Sequence, residues 1–165
     1  MKLNFLAKGK VEFEDAKIIW RNFEGREGEF NDAGEREFHI IIPDMETAQQ
    51  LMDDVNEDGV GWNVRIRAPK VEGDLPFITL KVKVNFNDRG PKVYLESDGK
   101  KIRLTEDTVK RLDFIDIASC DIRLNPSDRT VRGTSYRTAY LDAIWVIQEV
   151  DKFESRFAEE EYPEE

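Results

Sequence analysis

The sequence predicts a mainly β protein, an antiparallel barrel with one or two short inserted helices. Two segments alternate apolar and polar residues with period two, as half-buried strands do: WNVRIRA at 62–68 and FITLKVKVNF at 77–86. Turn-forming residues separate these segments from shorter apolar runs. A parallel α/β fold would need a helix after most strands, and the sequence does not provide one.

The first third of the chain predicts strands and one helix. Residues 3–6 form a weak strand, residues 16–20 a stronger one, and residues 36–42 a third that ends at Pro43. Asp44 can accept backbone hydrogen bonds as an N-cap, so a helix is predicted to begin there. Its apolar residues recur at helical spacing and are expected to pack on the sheet. They are Met45, Ala48, Leu51, Met52 and Val55.

The middle of the chain predicts a hairpin and a second helix. Ser97-Asp98-Gly99-Lys100 has the Asp-Gly pattern of a tight turn, so it joins the predicted strands 92–96 and 101–104. The segment TEDTVKRLDF at 105–114 has acidic residues first and basic residues late, which favours a short helix.

The last third predicts a strand at 115–124, a basic loop at 125–135 and a final strand at 136–150. Trp62 and Trp145 are assigned to the core, whereas Trp20 adjoins the basic loop of residues 17–44 and stays ambiguous. The final strand is expected to bury alternate residues. These are Ala139, Leu141, Ala143, Trp145 and Ile147.

Length and composition limit the functional classes. A chain of 165 residues with 39% hydrophobic residues fits one globular domain. No apolar run is long enough to cross a bilayer, and lysines interrupt the first ten residues before a signal-peptide core could form. Cys120 is the only cysteine and His39 the only histidine. We therefore expect a cytoplasmic protein without cofactor, metal or membrane partner.

The net charge of −10 is unevenly distributed. Residues 151–165 carry seven acidic and two basic side chains, so they contribute half of the net negative charge. We expect residues 1–152 to form a nucleic-acid-binding domain and residues 153–165 a disordered acidic C-terminal tail. The domain can still segregate its charges onto different faces, so the negative total does not exclude a nucleic-acid partner.

Enzyme signatures are absent from the sequence, which has no GxxxxGK[ST] phosphate loop, no GxGxxG and no HExxH. Acidic pairs such as Asp53-Asp54 and Glu57-Asp58 lie at a predicted helix end, where solvated carboxylates are ordinary. We therefore expect no enzyme. A divalent-metal nuclease built from carboxylates alone is the third-ranked alternative.

Residues 17–44 combine arginines with aromatic rings in a predicted loop between two strands. Guanidinium groups pair with phosphates, and exposed rings stack on unpaired bases, so this pattern indicates single-stranded nucleic acid. The acidic residues of the same loop would repel phosphate. We therefore expect a mobile flap whose arginines make the contacts.

The alternating strands extend this candidate site, because each has a basic face opposite its apolar face. An OB-type barrel is the antiparallel form that presents such a face to a ligand. The predicted phosphate contacts are Arg21, Arg26, Arg36, Arg65, Arg67, Lys81 and Lys83. The predicted stacking rings are Phe23, Phe30 and Tyr94. Further predicted nucleic-acid contacts are Arg123, Arg132 and Arg137.

A second function stays open beside single-stranded DNA binding. Acidic groups outnumber basic ones even without the tail, so an adaptor or DNA mimic could present them to a basic host protein. Such a protein should lack a continuous basic groove.

Five blocks of sequence are similar to those of a known family. They are IIWRNFEGREGEFNDAGEREFHIIIPD (18–44), GWNVRIRAP (61–69), LKVKVNFNDRGPKVYL (80–95), LDFIDIASCDIRLNP (112–126) and YRTAYLDAIWVIQEVD (136–151). In these blocks the chain resembles the phage- and mobile-element-encoded single-stranded DNA-binding proteins with an OB fold.

The resemblance implies a protein that coats and protects single-stranded DNA without sequence preference, in phage DNA replication or recombination, without catalytic site or cofactor. It also implies an acidic tail that recruits replication or recombination proteins, and residence in the bacterial host cytoplasm. One departure concerns the tail, since Tyr162-Pro163-Glu164-Glu165 does not end in the apolar residue that many such tails carry. A monomer and a homodimer both stay open.

Overall fold

The computed structural model describes residues 1–151 and residue 153. It confirms a mainly β fold, with ten strands, one α-helix and two 3-10 turns in that part of the chain. The strands are β1 (Lys2–Phe5), β2 (Val11–Ala16), β3 (Ile18–Asn22), β4 (Arg36–Ile42), β5 (Val64–Arg67), β6 (Phe77–Val84), β7 (Lys92–Ser97), β8 (Lys100–Leu104), β9 (Ile117–Val131) and β10 (Thr134–Gln148). The helix α1 spans Met45–Asp53, and the 3-10 turns span Ala7–Gly9 and Val109–Asp113.

All ten strands belong to one sheet with the order β1-β2-β9-β10-β6-β4-β3, to which β5 adds beside β6 and the β7–β8 pair adds beside β10. Most pairs are antiparallel, as expected, but β10 runs parallel to both β6 and β7. Within the described residues the end strands β1 and β3 do not pair with each other. The sheet is therefore OB-like without closing into a complete barrel.

Helix α1 begins as the sequence predicts. The side chain of Asp44 accepts a hydrogen bond from the backbone N–H of Thr47 at 2.7 Å, which satisfies one amide of the first turn. Ala48 and Leu51 are fully buried and Met52 packs partly against the core. Met45 and Val55 are 44% and 51% exposed, so their predicted packing on the sheet is wrong. The second predicted helix, at 105–114, is only a 3-10 turn over Val109–Asp113.

The alternation of β6 is confirmed by its burial. Ile78, Leu80, Val82 and Val84 are at most 2% exposed, so the residues between them face the other side of the sheet. Trp62 is also buried, as predicted, and its indole N–H donates to a carboxylate oxygen of Asp54 at 2.9 Å. The sequence predicted the burial of Trp62 correctly because Trp62 continues the period-two alternation of β5.

A bulge in β10 changes which residues are buried. The register against β9 shifts between Leu141 and Ala143, so the buried set continues with Ile144 and Val146. The predicted burial of Ala143, Trp145 and Ile147 is therefore wrong: Ala143 and Trp145 are only half-buried, and Ile147 is 36% exposed. A shift of one residue sends every later side chain to the opposite face.

The predicted basic loop at 125–135 is instead the end of a long hairpin. Strands β9 and β10 stay paired as far as Val131 and Thr134, and the turn consists of Arg132 and Gly133. Both turn residues have positive φ angles, of 51° and 81°, as in the tight turns that match the twist of paired strands.

In the described part of the chain no helix combines the length and the apolar character that a membrane span requires. The predicted domain of residues 1–152 is described except for residue 152. The predicted acidic tail of residues 153–165 lies, apart from Phe153, outside the described residues.

Candidate nucleic-acid interface

The outward side of β5 and β6 gathers four of the predicted phosphate contacts. Arg65 pairs in register with Thr79, and Arg67 with Phe77, so these side chains share the side of the sheet that also carries Lys81 and Lys83. A groove of about 130 Å³ beside this row is lined in part by Arg65, Lys81 and Lys83. We call these four cations, Arg65, Arg67, Lys81 and Lys83, the basic face.

An aromatic cluster adjoins the basic face at its Arg67 end. The indole of Trp20 is 44% exposed, and its ring centroid lies 5.6 Å from that of Phe77 and 5.0 Å from that of His39. The guanidinium carbon of Arg67 lies 4.9 Å from the Trp20 ring centroid. A partly exposed ring with a cation beside it suits a nucleobase and its phosphate.

The position of Trp20 depends on an irregular backbone. Its φ angle is +53°, in a region that large side chains rarely adopt, and the β3–β4 register shifts between Ile19 and Asn22. A bulge of this kind re-aims a side chain, and such strain costs about 1–3 kcal/mol and concentrates at functional sites. The sequence left Trp20 ambiguous because period-two reasoning cannot detect a bulge.

His39 lies between the aromatic cluster and the cations. Its Nδ1 is 3.3 Å from the hydroxyl of Thr79, and its Nε2 is 3.7 Å from a carboxylate oxygen of Glu37. Burial lowers the pKa of His39 below its ordinary value, the positive charge of Arg65 lowers the pKa further, and Glu37 opposes them. The imidazole is therefore mainly neutral at pH 7.

The β9–β10 hairpin continues the basic face. Tyr140 is in register with Lys83, and its hydroxyl accepts a hydrogen bond of 2.9 Å from the guanidinium of Arg129. Tyr136 lies opposite Arg129 and is 51% exposed, so a second ring stands on the same side of the hairpin. Arg132 is exposed at the turn. The sequence could not place Tyr140 in this site, because alternation along β10 does not reveal its register with Lys83.

Two arginines of the predicted flap are held by the protein itself. Arg21 donates from Nη1 to the carbonyl oxygens of Leu112 and Ile115, at 2.6 and 2.8 Å. Arg36 pairs with Glu106 at 3.5 Å, and its guanidinium lies 5.6 Å from the Phe86 ring centroid. These contacts argue against a mobile flap at Arg21 and Arg36, and the phosphate contacts of these two residues stay predictions.

The rest of this loop is also tied internally. The side chain of Asn22 accepts hydrogen bonds from the amides of Gly25 and Arg26, at 3.1 and 2.9 Å. The guanidinium of Arg26 contacts the Arg21 carbonyl at 3.3 Å and lies over the ring of Phe114 at 5.9 Å. Its side chain is half exposed, whereas Phe30 nearby is 90% exposed.

The Arg21 contacts predict a loss of stability when this side chain is removed. Arg21→Ala leaves two carbonyl oxygens without their charged donor, and we expect the free energy of unfolding to fall by about 1.5–3 kcal/mol. Arg26→Ala, at a more exposed guanidinium in the same loop, is the matched control and should cost less than about 1 kcal/mol. Urea unfolding with an unchanged m value measures both, and equal midpoints for wild type and Arg21→Ala would contradict this account.

Two other predicted contacts are buried, and their predicted roles are corrected. Phe23 is fully buried and its ring stacks on that of Phe38 at a centroid distance of 5.1 Å, so it presents no face to a base. Arg137 is 5% exposed and holds Asp128 through two hydrogen bonds of 2.8 and 3.2 Å. These bonds lower the pKa of the Asp128 carboxyl. The guanidinium also lies 5.2 Å from the Trp62 ring centroid, so Arg137 is a structural cation.

The remaining predicted residues, Tyr94 and Arg123, lie on β7 and β9, away from the basic face. The acidic pairs that a nuclease would need do not converge in the described part of the chain, where no group of three or more His, Cys, Asp or Glu residues could hold a metal ion.

Comparisons with known proteins identify one family and one similar fold. The family model "Putative phage ssDNA-binding domain" matches residues 3–165. The fold is similar to solved structures of the single-stranded DNA-binding protein from bacteriophage Enc34. The full protein has a TM-score of 0.53 at 9% identity, covering 92% of this chain and 87% of that chain. The structure of its complex with single-stranded DNA has a TM-score of 0.50 at 10% identity, covering 92% of this chain and 93% of that chain. No curated protein sequence matches this chain.

Proposed function

The chain belongs to the family of phage single-stranded DNA-binding domains, and we propose that it binds single-stranded DNA without sequence preference through the basic face and Trp20. It coats and protects exposed strands during phage DNA replication or recombination. One observation carries the residue assignment: Arg67 joins the row of four outward cations to the indole of Trp20, at 4.9 Å. Phosphates and stacked bases are thus bound side by side.

Sequence tolerance follows from the chemistry of this surface. Lysine and arginine contacts to phosphates carry no base information, and aromatic rings stack on every base because each has a π face. The carboxylate of Glu37 lies 3.5 Å from Lys81, which keeps that cation oriented along the face. Tyr136, Tyr140 and Arg129 extend the same surface along the hairpin.

The competing functions lack comparable support. An acidic DNA mimic would present a carboxylate surface where this protein has the basic face. We propose that the protein is not an enzyme and acts in the host cytoplasm. Recruitment of replication or recombination proteins is proposed for the acidic tail of residues 153–165, and this role rests on the composition of the tail.

A salt series tests the basic face directly. Changing Arg65, Arg67, Lys81 and Lys83 together to glutamine should reduce affinity for labelled oligo-dT and make the log–log salt slope less steep by about 2.8, because each neutralised phosphate contributes about −0.7. Fluorescence anisotropy at several salt concentrations measures both quantities. Absence of any binding by the wild type at low salt would refute the function itself.

A matched variant controls for the change in net charge. This variant changes four exposed cations outside the basic face to glutamine: Lys2, Lys8, Lys110 and Arg111. It removes as many positive charges as the basic-face variant does. Its salt slope should stay within about 0.5 of the wild-type slope. Equal losses in the two quadruple variants would show that only total charge matters and would refute the assignment.

A further inference from the structure

A second aromatic surface lies farther along β10 and is not part of the basic face. Tyr94 of β7 and Trp145 of β10 are in register, and their rings stack with centroids 5.2 Å apart and planes inclined by 25°. Both side chains are half-buried, so part of each ring is exposed. Trp145 faces outward because the bulge at Leu141 and Ala143 reversed the alternation of β10.

Cations flank this ring pair on its β8 side. The ammonium of Lys101 lies 5.4 Å from the Trp145 ring centroid, and the guanidinium carbon of Arg103 lies 5.9 Å from that of Tyr94. Lys92 lines the groove of about 220 Å³ beside the rings. We call Tyr94, Trp145, Lys101, Arg103 and Lys92 the second face.

Among the carboxylates near the second face, Glu96 of β7 lies in register with Lys101 of β8, whereas Glu12 and Asp121 lie on the β2 and β9 side of the ring pair, where they have partners within the protein. Glu12 of β2 pairs with Arg123 at 2.9 Å. Asp121 of β9 accepts a hydrogen bond of 2.9 Å from the backbone N–H of Asp15. Strands β7 and β8 carry four cations, Lys92, Lys100, Lys101 and Arg103, and one carboxylate, Glu96, so positive charge prevails on the side that suits phosphates.

A polar groove of about 570 Å³ lies between the two faces along β10, where Tyr140, Leu141 and Asp142 line it. Its lining includes three asparagines, Arg89 and Tyr140, and Tyr140 is in register with Lys83 of the basic face. The carboxylate that lines this groove belongs to Asp142, which pairs with Lys10 at 3.1 Å and accepts a hydrogen bond from Asn125 at 3.2 Å. Trp145 lies five positions after Tyr140 in β10, a span of roughly 16 Å at about 3.3 Å per residue.

We propose that the DNA strand bound on the basic face continues through this groove and stacks on the second face, so that the binding site is bipartite. The inference rests on the proposed function and adds the path of the strand. Amide side chains in the groove satisfy bases and sugars without selecting a sequence. The cations of the second face then neutralise phosphates that the basic face cannot reach.

The bipartite site predicts a dependence on oligonucleotide length. OB folds contact about 4–16 nucleotides each, so oligo-dT of roughly 5 nucleotides fills the basic face alone, whereas roughly 15 nucleotides reach both faces. Lys101→Gln with Arg103→Gln should weaken binding of the long oligonucleotide several-fold and reduce its salt slope by about 1.4. Binding of the short oligonucleotide should not change.

Lys110→Gln with Arg111→Gln is the matched control, since both residues are exposed and lie on the 3-10 turn away from either face. This variant should bind both lengths as the wild type does. An equal loss for both lengths in the Lys101/Arg103 variant, or no loss for the long one, would overturn the proposal. Failure of the wild type to bind either length would refute the proposed function instead, so the two failures are distinguishable.

Tryptophan fluorescence gives a second measurement. In a Trp20→Phe protein the half-buried Trp145 and the buried Trp62 are the remaining emitters. The long oligonucleotide at saturation should quench the Trp145 emission, and Trp20→Phe combined with Trp145→Phe should abolish that quenching. Emission that is unchanged by the long oligonucleotide would overturn the proposal.

Discussion

Phe23→Ala is expected to lower the free energy of unfolding by about 3–5 kcal/mol. The ring is fully buried and stacked on Phe38, so truncation removes a large apolar contact and leaves a cavity in a packed core. Urea unfolding followed by circular dichroism measures the loss. Oligo-dT affinity of the protein that remains folded should equal that of the wild type.

Phe30→Ala is the matched control for this substitution. Phe30 lies in the same loop and is 90% exposed, so its truncation should change stability by less than about 0.5 kcal/mol. The opposite result for Phe23→Ala, unchanged stability with weaker DNA binding, would restore the stacking role that the sequence predicted and contradict its burial.

Trp20→Ala is expected to weaken oligo-dT binding by roughly 5–150-fold. This range corresponds to the loss of one stacked base, about 1–3 kcal/mol. Trp20→Phe should recover part of the affinity because a smaller ring still stacks. Fluorescence anisotropy at one fixed salt concentration measures all three proteins, and circular dichroism verifies that each is folded.

Phe5→Ala is the appropriate control for Trp20. Phe5 is 47% exposed, close to the 44% of Trp20, but it lies on β1 at the far end of the sheet order from β3. Its truncation should leave affinity unchanged within about twofold. Equal affinities for Trp20→Ala and the wild type would remove Trp20 from the interface.

The sequence predicted the regular parts of this fold well because local chemistry determines them. The alternation of β6 identified both its buried residues and the outward Lys81 and Lys83. The Asp44 cap marked the start of α1. The outward direction of Arg65 and Arg67 followed from the period of β5, so the four cations of the basic face were identified before their register was known.

Irregular backbone explains what the sequence could not predict. The bulge between Leu141 and Ala143 inserts one residue without any change in apolar pattern, and Trp145 therefore faces outward. Phe23 follows a register shift in β3 and turns into the core, although its neighbours are polar. Arg137 looked like a phosphate contact until its partners from distant parts of the chain were known.

The pairing of β2 with β9 has a consequence for synthesis on the ribosome. Val11 pairs with Leu124, so the edge of β2 that faces β9 stays unpaired until 113 further residues have been synthesised. This takes roughly 6–23 s at 5–20 residues per second. Strand β1 can cover only one edge meanwhile, and an uncovered edge recruits other chains. Glu12, Glu14 and Asp15 place charge along this strand, a composition that protects a nascent edge from misassociation.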